Sequence, residues 1–194
     1  MYMGTFDLVK LDDDLITCDG AFTAEEIEKI RKICDALSHT GSPDISTGDG
    51  VSRKTWLTPI KSSPTTQFFY RRIGEIAKSI NDEYFKLDID GFISQGIWYN
   101  HYSLPTDHYD WHTDKTRKYG TTKDFVKQTV VLQLSSPEEY EGGYVDVMID
   151  GIIRIERRQG LIYSIPGWVP HQVTNIVSGH RRTLVAWFTG PRFR

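Results

Sequence analysis

Only two cysteines, Cys18 and Cys34, occur in 194 residues. That is too few for a disulfide framework, so a packed core must hold the fold together. No apolar run approaches the ~18 residues of a membrane-spanning helix. The first stretch, MYMGTFDLVKLDDD, is acidic where a secretory leader would be basic. An excess of positive charge is also missing. With 26 acidic against 23 basic side chains the net charge is −3, which argues against a chain that binds nucleic acid electrostatically as a whole. Internal repeats and low-complexity tracts are absent. These absences lead to the expectation of a cytoplasmic, reducing location, with neither membrane nor nucleic acid as a partner.

What is present is a chain long enough for a sizeable core, 39% hydrophobic and 12% aromatic. One domain over residues 1–194 is expected, with helical support over about 21–85 and a barrel over about 91–190. Leu15–Thr17 reads as an edge strand. Thr23-Ala-Glu-Glu26 is a capping box, and Ile27, Ile30, Cys34 and Leu37 share one face of a helix over Ala24–Leu37. Ser38–Gly50 is rich in Gly, Ser, Asp and Pro and reads as a loop, followed by a strand over Val51–Ile60. Ser63-Pro64 should open a second helix running to about Tyr84.

From Gly91 the pattern changes to strands: Phe92–Tyr102, Thr129–Leu134, an alternating pair around the Asp150-Gly151 turn, Leu161–Ile165, Gln172–Val177 and Arg182–Phe188. Between them Lys115–Asp124 reads as a mobile loop. The run to Lys127 carries Lys115, Arg117, Lys118, Lys123 and Lys127, as a solvated loop or as a clamp for an acidic substrate. Helices first and about eight strands later predict a mostly β fold. The expected form is a double-stranded β-helix, a jelly-roll or cupin-like barrel, with N-terminal helices packed on one sheet.

The chemistry-bearing residues are His112, Asp114 and His171. Side chains two apart on a strand point the same way, so His112 and Asp114 can reach one metal ion while His171 comes from another strand. Two imidazoles and one carboxylate on one face of a metal form the facial triad of non-haem Fe(II) oxygenases, with positions left open for cosubstrate and O2. Asp114 also favours hydroxylation over halogenation, because a halogenase needs a halide where the carboxylate stands. Ten residues after His171, Arg181 offers a planar fork of donors suited to the far carboxylate of a dicarboxylate. Thr183, two further on, faces the same way, as do Val185 and Trp187.

Four stretches carry a family resemblance: HYDWHTD (His108–Asp114), VVLQLSSPEEYEGGYVDV (Val130–Val147), GLIYSIPGWVPHQVTNIVSGHRRT (Gly160–Thr183) and VAWFTGPRFR (Val185–Arg194). Here the chain resembles the 2-oxoglutarate/Fe(II)-dependent dioxygenases of the prolyl 4-hydroxylase-like group. The resemblance implies Fe(II), 2-oxoglutarate and O2, with ascorbate a candidate auxiliary reductant and with release of succinate and CO2. It implies that His112, Asp114 and His171 hold iron and that Arg181, Thr183 and Tyr102 hold the cosubstrate. Tyr102 stands ten residues before the first ligand, where the family has a Tyr about nine before. Tyr109, Trp111 and Trp168 are candidates for the substrate cleft, Asn100 for a polar contact near the cosubstrate, and Trp187 for packing near the metal. Arg53 lies on an early strand that could border the cleft. The implied substrate is a peptidyl proline or another protein side chain, with a free amino acid or small metabolite as the other option. Two alternatives stand beside this reading: a cupin-like metal enzyme that does not use 2-oxoglutarate, and a non-catalytic binding module on the same barrel.

Overall fold

The computed structural model describes residues 6–37, 44–46, 51–119 and 122–192. In chain order the strands are β1 (Asp7–Asp12), β2 (Leu15–Asp19), β3 (Asp44–Ser46), β4 (Ser52–Lys54), β5 (Trp56–Ile60), β6 (Gly91–Tyr102), β7 (His108–His112), β8 (Thr116–Tyr119), β9 (Thr122–Gln133), β10 (Tyr140–Gly142), β11 (Val145–Met148), β12 (Ile152–Arg154), β13 (Ile162–Pro166), β14 (His171–Val173), β15 (Ile176–Gly179) and β16 (Arg181–Thr189). Two α-helices, α1 (Ala24–Asp35) and α2 (Gln67–Ile80), precede β6. The major sheet runs β1-β2-β13-β9-β16-β6-β5, with β8 attached to β9, and the minor sheet runs β12-β11-β14-β7-β4-β3. A short β10–β15 ribbon completes the set. The two sheets face each other as a jelly roll and, among the described residues, are not hydrogen-bonded into a closed barrel.

Strand alternation divides the interior into two cores. On β16, Leu184, Ala186 and Phe188 point to the helices, where they meet Ile27, Ile30 and Cys34 of α1 and Phe69, Ile73, Ile76 and Ile80 of α2. The alternate residues Val185 and Trp187 point between the sheets, with Val131, Tyr163, Val147 and Val173. Arg181 and Thr183 share that inner parity and are buried, at 2% and 1% exposure. Central placement of β16, paired to β9 on one side and β6 on the other, fixes which of its residues enter the sandwich.

The first helix forms where its cap predicts. Thr23 Oγ1 accepts from the Glu26 amide at 3.2 Å, and the Glu26 carboxylate accepts from the Thr23 amide at 3.0 Å. The second helix starts later than Ser63-Pro64 suggests. The Ser63 carbonyl accepts from the amides of Thr66 and Gln67 at 3.1 and 2.8 Å, and Thr66 Oγ1 donates to Lys61 O at 2.9 Å, so this segment is spent on a turn. After Ile80 the chain widens into a π-helical turn, Asn81–Phe85, ended by Lys86 in the left-handed region.

Four expected elements differ. Leu15–Thr17 is not an edge: β2 lies between β1 and β13. The Val51–Ile60 strand breaks at Thr55, so β4 joins the minor sheet and β5 the major one. The Gln172–Val177 strand divides into β14 and β15, which enter different sheets. Lys115–Asp124 is not a loop but the β8–β9 hairpin, in register from Thr116↔Phe125 to Tyr119↔Thr122. Polarity alone misled there, because the Thr and Tyr residues interspersed in the segment favour a pleated surface.

In the minor sheet Asp146 of β11 is 3% exposed and accepts Arg154 Nε and Nη2 from β12 at 2.7 and 3.1 Å, and Gln172 Nε2 from β14 at 3.1 Å. The Arg154 hydrogen bonds hold its carboxyl below the usual carboxylate range against the opposing effect of burial. A depressed folded pKa means stability that is present above the unfolded value, near ~3.9, and lost as pH falls through the folded one. Asp146→Asn should cost about 1–2 kcal/mol at neutral pH, given an Arg154 side chain open to solvent. Thermal unfolding at stepped pH should show the gap to wild type closing below pH ~4. A gap independent of pH would refute the ion-pair account.

Candidate metal centre

A bulge in β7 makes the site. On β14, His171 and Val173 are two apart, yet they pair with His112 and Tyr109, which are three apart. The extra residue lets both Tyr109 and His112 face the interior. Their rings stack at 3.4 Å between centroids, 11° from parallel. Asp114 lies just past the end of β7, and His171 opens β14 directly opposite His112.

Both imidazoles are oriented by the same device. His112 Nδ1 lies 2.7 Å from Asp110 O and His171 Nδ1 lies 3.0 Å from Val169 O, each a carbonyl two residues back. A carbonyl can only accept, so each Nδ1 carries the proton and each Nε2 carries the lone pair. The His171 Nε2 sits 3.5 Å from Asp114 Oδ2, and the His112 Nε2 sits 3.9 Å from Asp114 Oδ1. The three candidate donor atoms lie within 4.8 Å of one another.

Asp114 is 2% exposed. Its Oδ2 accepts from Thr129 Oγ1 at 2.9 Å and from the Trp187 indole N–H at 2.8 Å. Two donors on one oxygen fix the carboxylate plane. Such supporting partners typically change metal affinity by ~10–100-fold. Trp187→Phe and Thr129→Val should each weaken Fe(II) binding within that range while leaving the far-UV circular dichroism unchanged. Unaltered affinity in both would remove them from the support of Asp114.

The same pocket is lined by Asn100, Tyr102, Tyr163, Arg181 and Thr183. Backbone register places Tyr102 beside Arg181 and Asn100 beside Thr183. The Arg181 guanidinium lies 5.2 Å from the centroid of the Tyr102 ring, and Arg181 Nε has no hydrogen-bond partner among the described residues. No carboxylate among them pairs with it. Asn100 Oδ1 is likewise unsatisfied. Burial raises the Tyr102 and Tyr163 phenols, against the opposing charge of Arg181, so both hydroxyls stay protonated and able to donate at neutral pH. A buried cation without a counterion is costly. This pocket therefore suits an anion at the Arg181 end and a divalent cation at the His-Asp-His end.

The structure thus brings His112, Asp114, His171, Arg181, Thr183, Tyr102, Asn100, Tyr109 and Trp187 to one pocket. Two of the cleft candidates do not line it. Trp111 shares strand parity with Tyr109, but the bulge gives the inward place to His112. Trp168, 37% exposed, lines a separate surface groove. Trp187 is committed through its N–H to Asp114 rather than to a substrate wall. Arg53, buried on β4, stacks over the Tyr109 ring at 5.4 Å. Sequence reasoning missed Thr129 and Tyr163. Both sit at inward positions of buried strands, and only the register, Thr129↔Trp187 and Tyr163↔Val131, shows where they meet the site.

Residues 97–189 match the family model of the 2OG-Fe(II) oxygenase superfamily. A PKHD-type hydroxylase of Azoarcus sp. (strain BH72) is 26% identical over 170 residues, covering 86% of this chain and 74% of the relative. One from Crocosphaera subtropica (strain ATCC 51142 / BH68) is 28% identical over 181 residues, covering 89% and 77%. In fold the chain is similar to a Pseudomonas putida prolyl-4-hydroxylase, with a TM-score of 0.64 at 18% identity over 92% of this chain and 94% of that one. It is also similar to the viral collagen prolyl hydroxylase of Paramecium Bursaria Chlorella virus-1 in its 2OG complex, with a TM-score of 0.66 at 16% identity over 91% and 96%.

Proposed function

We propose that this chain, a member of the 2OG-Fe(II) oxygenase superfamily, hydroxylates a side chain of a peptide or protein, with proline the foremost candidate. The enzyme is a 2-oxoglutarate-dependent dioxygenase whose cofactors are Fe(II) and 2-oxoglutarate. The observation that carries the assignment of roles is the convergence of His112, Asp114 and His171 in the same pocket as a buried Arg181 that has no carboxylate partner among the described residues. A metal enzyme without a dicarboxylate would have no use for that cation, and a binding module would have no use for the triad.

His112 Nε2, His171 Nε2 and the Asp114 carboxylate would hold the iron. Arg181, with Thr183 and Tyr102, would hold the far carboxylate of 2-oxoglutarate, and Asn100 offers a further polar contact. When bound, Fe(II), 2-oxoglutarate and O2 supply the oxidation that replaces a substrate C–H by C–OH, with release of succinate and CO2. The chain itself contributes position and an apolar wall. The Asp110 and Val169 carbonyls keep both imidazoles in the Nε2-binding tautomer. Thr129 and Trp187 hold the carboxylate plane. Val131, Val173 and Val185 give the pocket an apolar wall. Tyr109, stacked on His112 at the β7 bulge, is placed to meet the substrate.

Support for a peptidyl substrate comes from the relatives. Both matched curated relatives are PKHD-type hydroxylases. A Trichoplax adhaerens prolyl hydroxylase of similar fold, with a TM-score of 0.65 at 13% identity, was solved with a hypoxia inducible factor peptide fragment. The test is a proline-containing peptide library incubated with Fe(II), 2-oxoglutarate and O2. The expected result is one added oxygen on a proline, matched by an equal amount of succinate. Turnover confined to free amino acids or small metabolites would overturn the peptide reading.

A further inference from the structure

Strand pairing orders the inward residues of the major sheet into rows. Ile165, Thr129 and Trp187 make the row at the metal end, where Thr129 and Trp187 hold Asp114. At the other end Gln133, Thr183 and Asn100 make a row, with the Arg181–Tyr102 pair beyond it. Tyr163, Val131 and Val185 form the row between the two. All three line the pocket, and of them only Tyr163 brings a polar group to it. Tyr163 is 3% exposed, yet no hydrogen bond to another described residue engages its hydroxyl. A buried donor without an acceptor is unfavourable.

Burial raises the Tyr163 phenol, so the donor proton stays in place at neutral pH; of the charges that act on it, Arg181 has the largest effect and Asp114 a smaller one. Arg181 is itself buried, with an unsatisfied Nε. An anion between the two would satisfy both donors at once. A chain ending in a methyl group would satisfy neither. Tyr163 also reaches the pocket from β13, whereas Arg181 and Thr183 come from β16 and Tyr102 from β6. Donors from three strands fix the position of a carboxylate better than donors from two. We infer that Tyr163 is a further cosubstrate-binding residue, its hydroxyl donating to the carboxylate that Arg181 pairs with, so that the pocket selects a 2-oxo dicarboxylate over a 2-oxo monocarboxylate; this rests on the 2-oxoglutarate reading of the pocket.

Tyr163→Phe keeps the ring and removes only the hydroxyl. The probes are 2-oxoglutarate and 2-oxovalerate, which carries a methyl group in place of the far carboxylate. Each is titrated anaerobically into the Fe(II)-loaded protein and followed by calorimetry and by the visible band of the chelated keto acid. The variant should bind 2-oxoglutarate about tenfold more weakly, the loss of one hydrogen bond to a charged group, and 2-oxovalerate as wild type does. The free variant should unfold at the wild-type temperature, since its hydroxyl has no partner to lose. Unchanged affinity for 2-oxoglutarate, with Arg181→Leu weakened, would overturn the inference alone. Equal weakening of both probes, or earlier unfolding, would make Tyr163 a packing residue and overturn it too. A wild type that binds iron but gives no band with either probe would instead remove the 2-oxoglutarate reading, and the role of Tyr163 with it.

Discussion

Replacing Arg181 by Leu raises the 2-oxoglutarate concentration needed for half-saturation about 100-fold, a loss of ~2.7 kcal/mol, while the free protein unfolds no sooner than wild type. The two halves of this result have one cause. Arg181 is 2% exposed and has no carboxylate partner among the described residues, with its Nε unsatisfied. In the free protein it is a desolvated charge that a well-packed apolar side chain replaces at little or no cost. In the complex it is one side of a charge-assisted pair, and truncating one partner of such a pair costs ~2–5 kcal/mol. Arg181→Lys keeps the charge but loses the planar fork, so its effect falls between the two. Isothermal titration of 2-oxoglutarate into the metal-loaded protein, alongside thermal unfolding of the free protein, reads both quantities. A variant that is destabilised but binds 2-oxoglutarate normally would make Arg181 a structural residue.

Asp114→Asn removes Fe(II) binding by more than ~100-fold, beyond the range of supporting residues, and takes hydroxylation to background. This substitution is more informative than Asp114→Ala. Asn keeps an acceptor for Thr129 Oγ1 and the Trp187 indole, so the fold is undisturbed and only the ligand charge is lost. Wild type at 100 times its iron dissociation constant should gain about 2.7 kcal/mol of stability from the metal. The variant should show no such gain, and adding a chelator should erase it from wild type. Iron-dependent stabilisation persisting in Asp114→Asn would place the ion elsewhere.

The sequence spacing on β16 reads through to one pocket because inward parity holds along the strand from Arg181. Arg181, Thr183 and Val185 alternate in unbroken register with β6, and Trp187, at the shift between Ala186 and Phe188, is kept in step by its pairing with Thr129 of β9. The capping box at Thr23 was equally readable, since it needs only residues three apart. What the sequence concealed is non-local. The β7 bulge exchanges the inward places of Trp111 and His112 relative to Tyr109, and nothing in HYDWHTD marks it. Thr129 became a partner of Asp114 only through strand pairing across the major sheet. Trp168 went to the surface between Gly167, packed so closely on the Val126 carbonyl that a Cβ there would lie 2.3 Å from the oxygen, and Val169, which takes the place in the inner core. The breaks at Thr55 and after Val173 followed from strands that change sheets, a choice that local propensity does not encode.

The most direct test of the central claim, that one pocket holds both iron and 2-oxoglutarate, is an anaerobic titration of 2-oxoglutarate into the Fe(II)-loaded protein. It is followed by the visible charge-transfer absorption of a chelated keto acid. A band that saturates at one equivalent, vanishes in Asp114→Asn and needs about 100-fold more 2-oxoglutarate in Arg181→Leu is the predicted result. A folded, iron-loaded protein that develops no band, or whose band is indifferent to both substitutions, would contradict it.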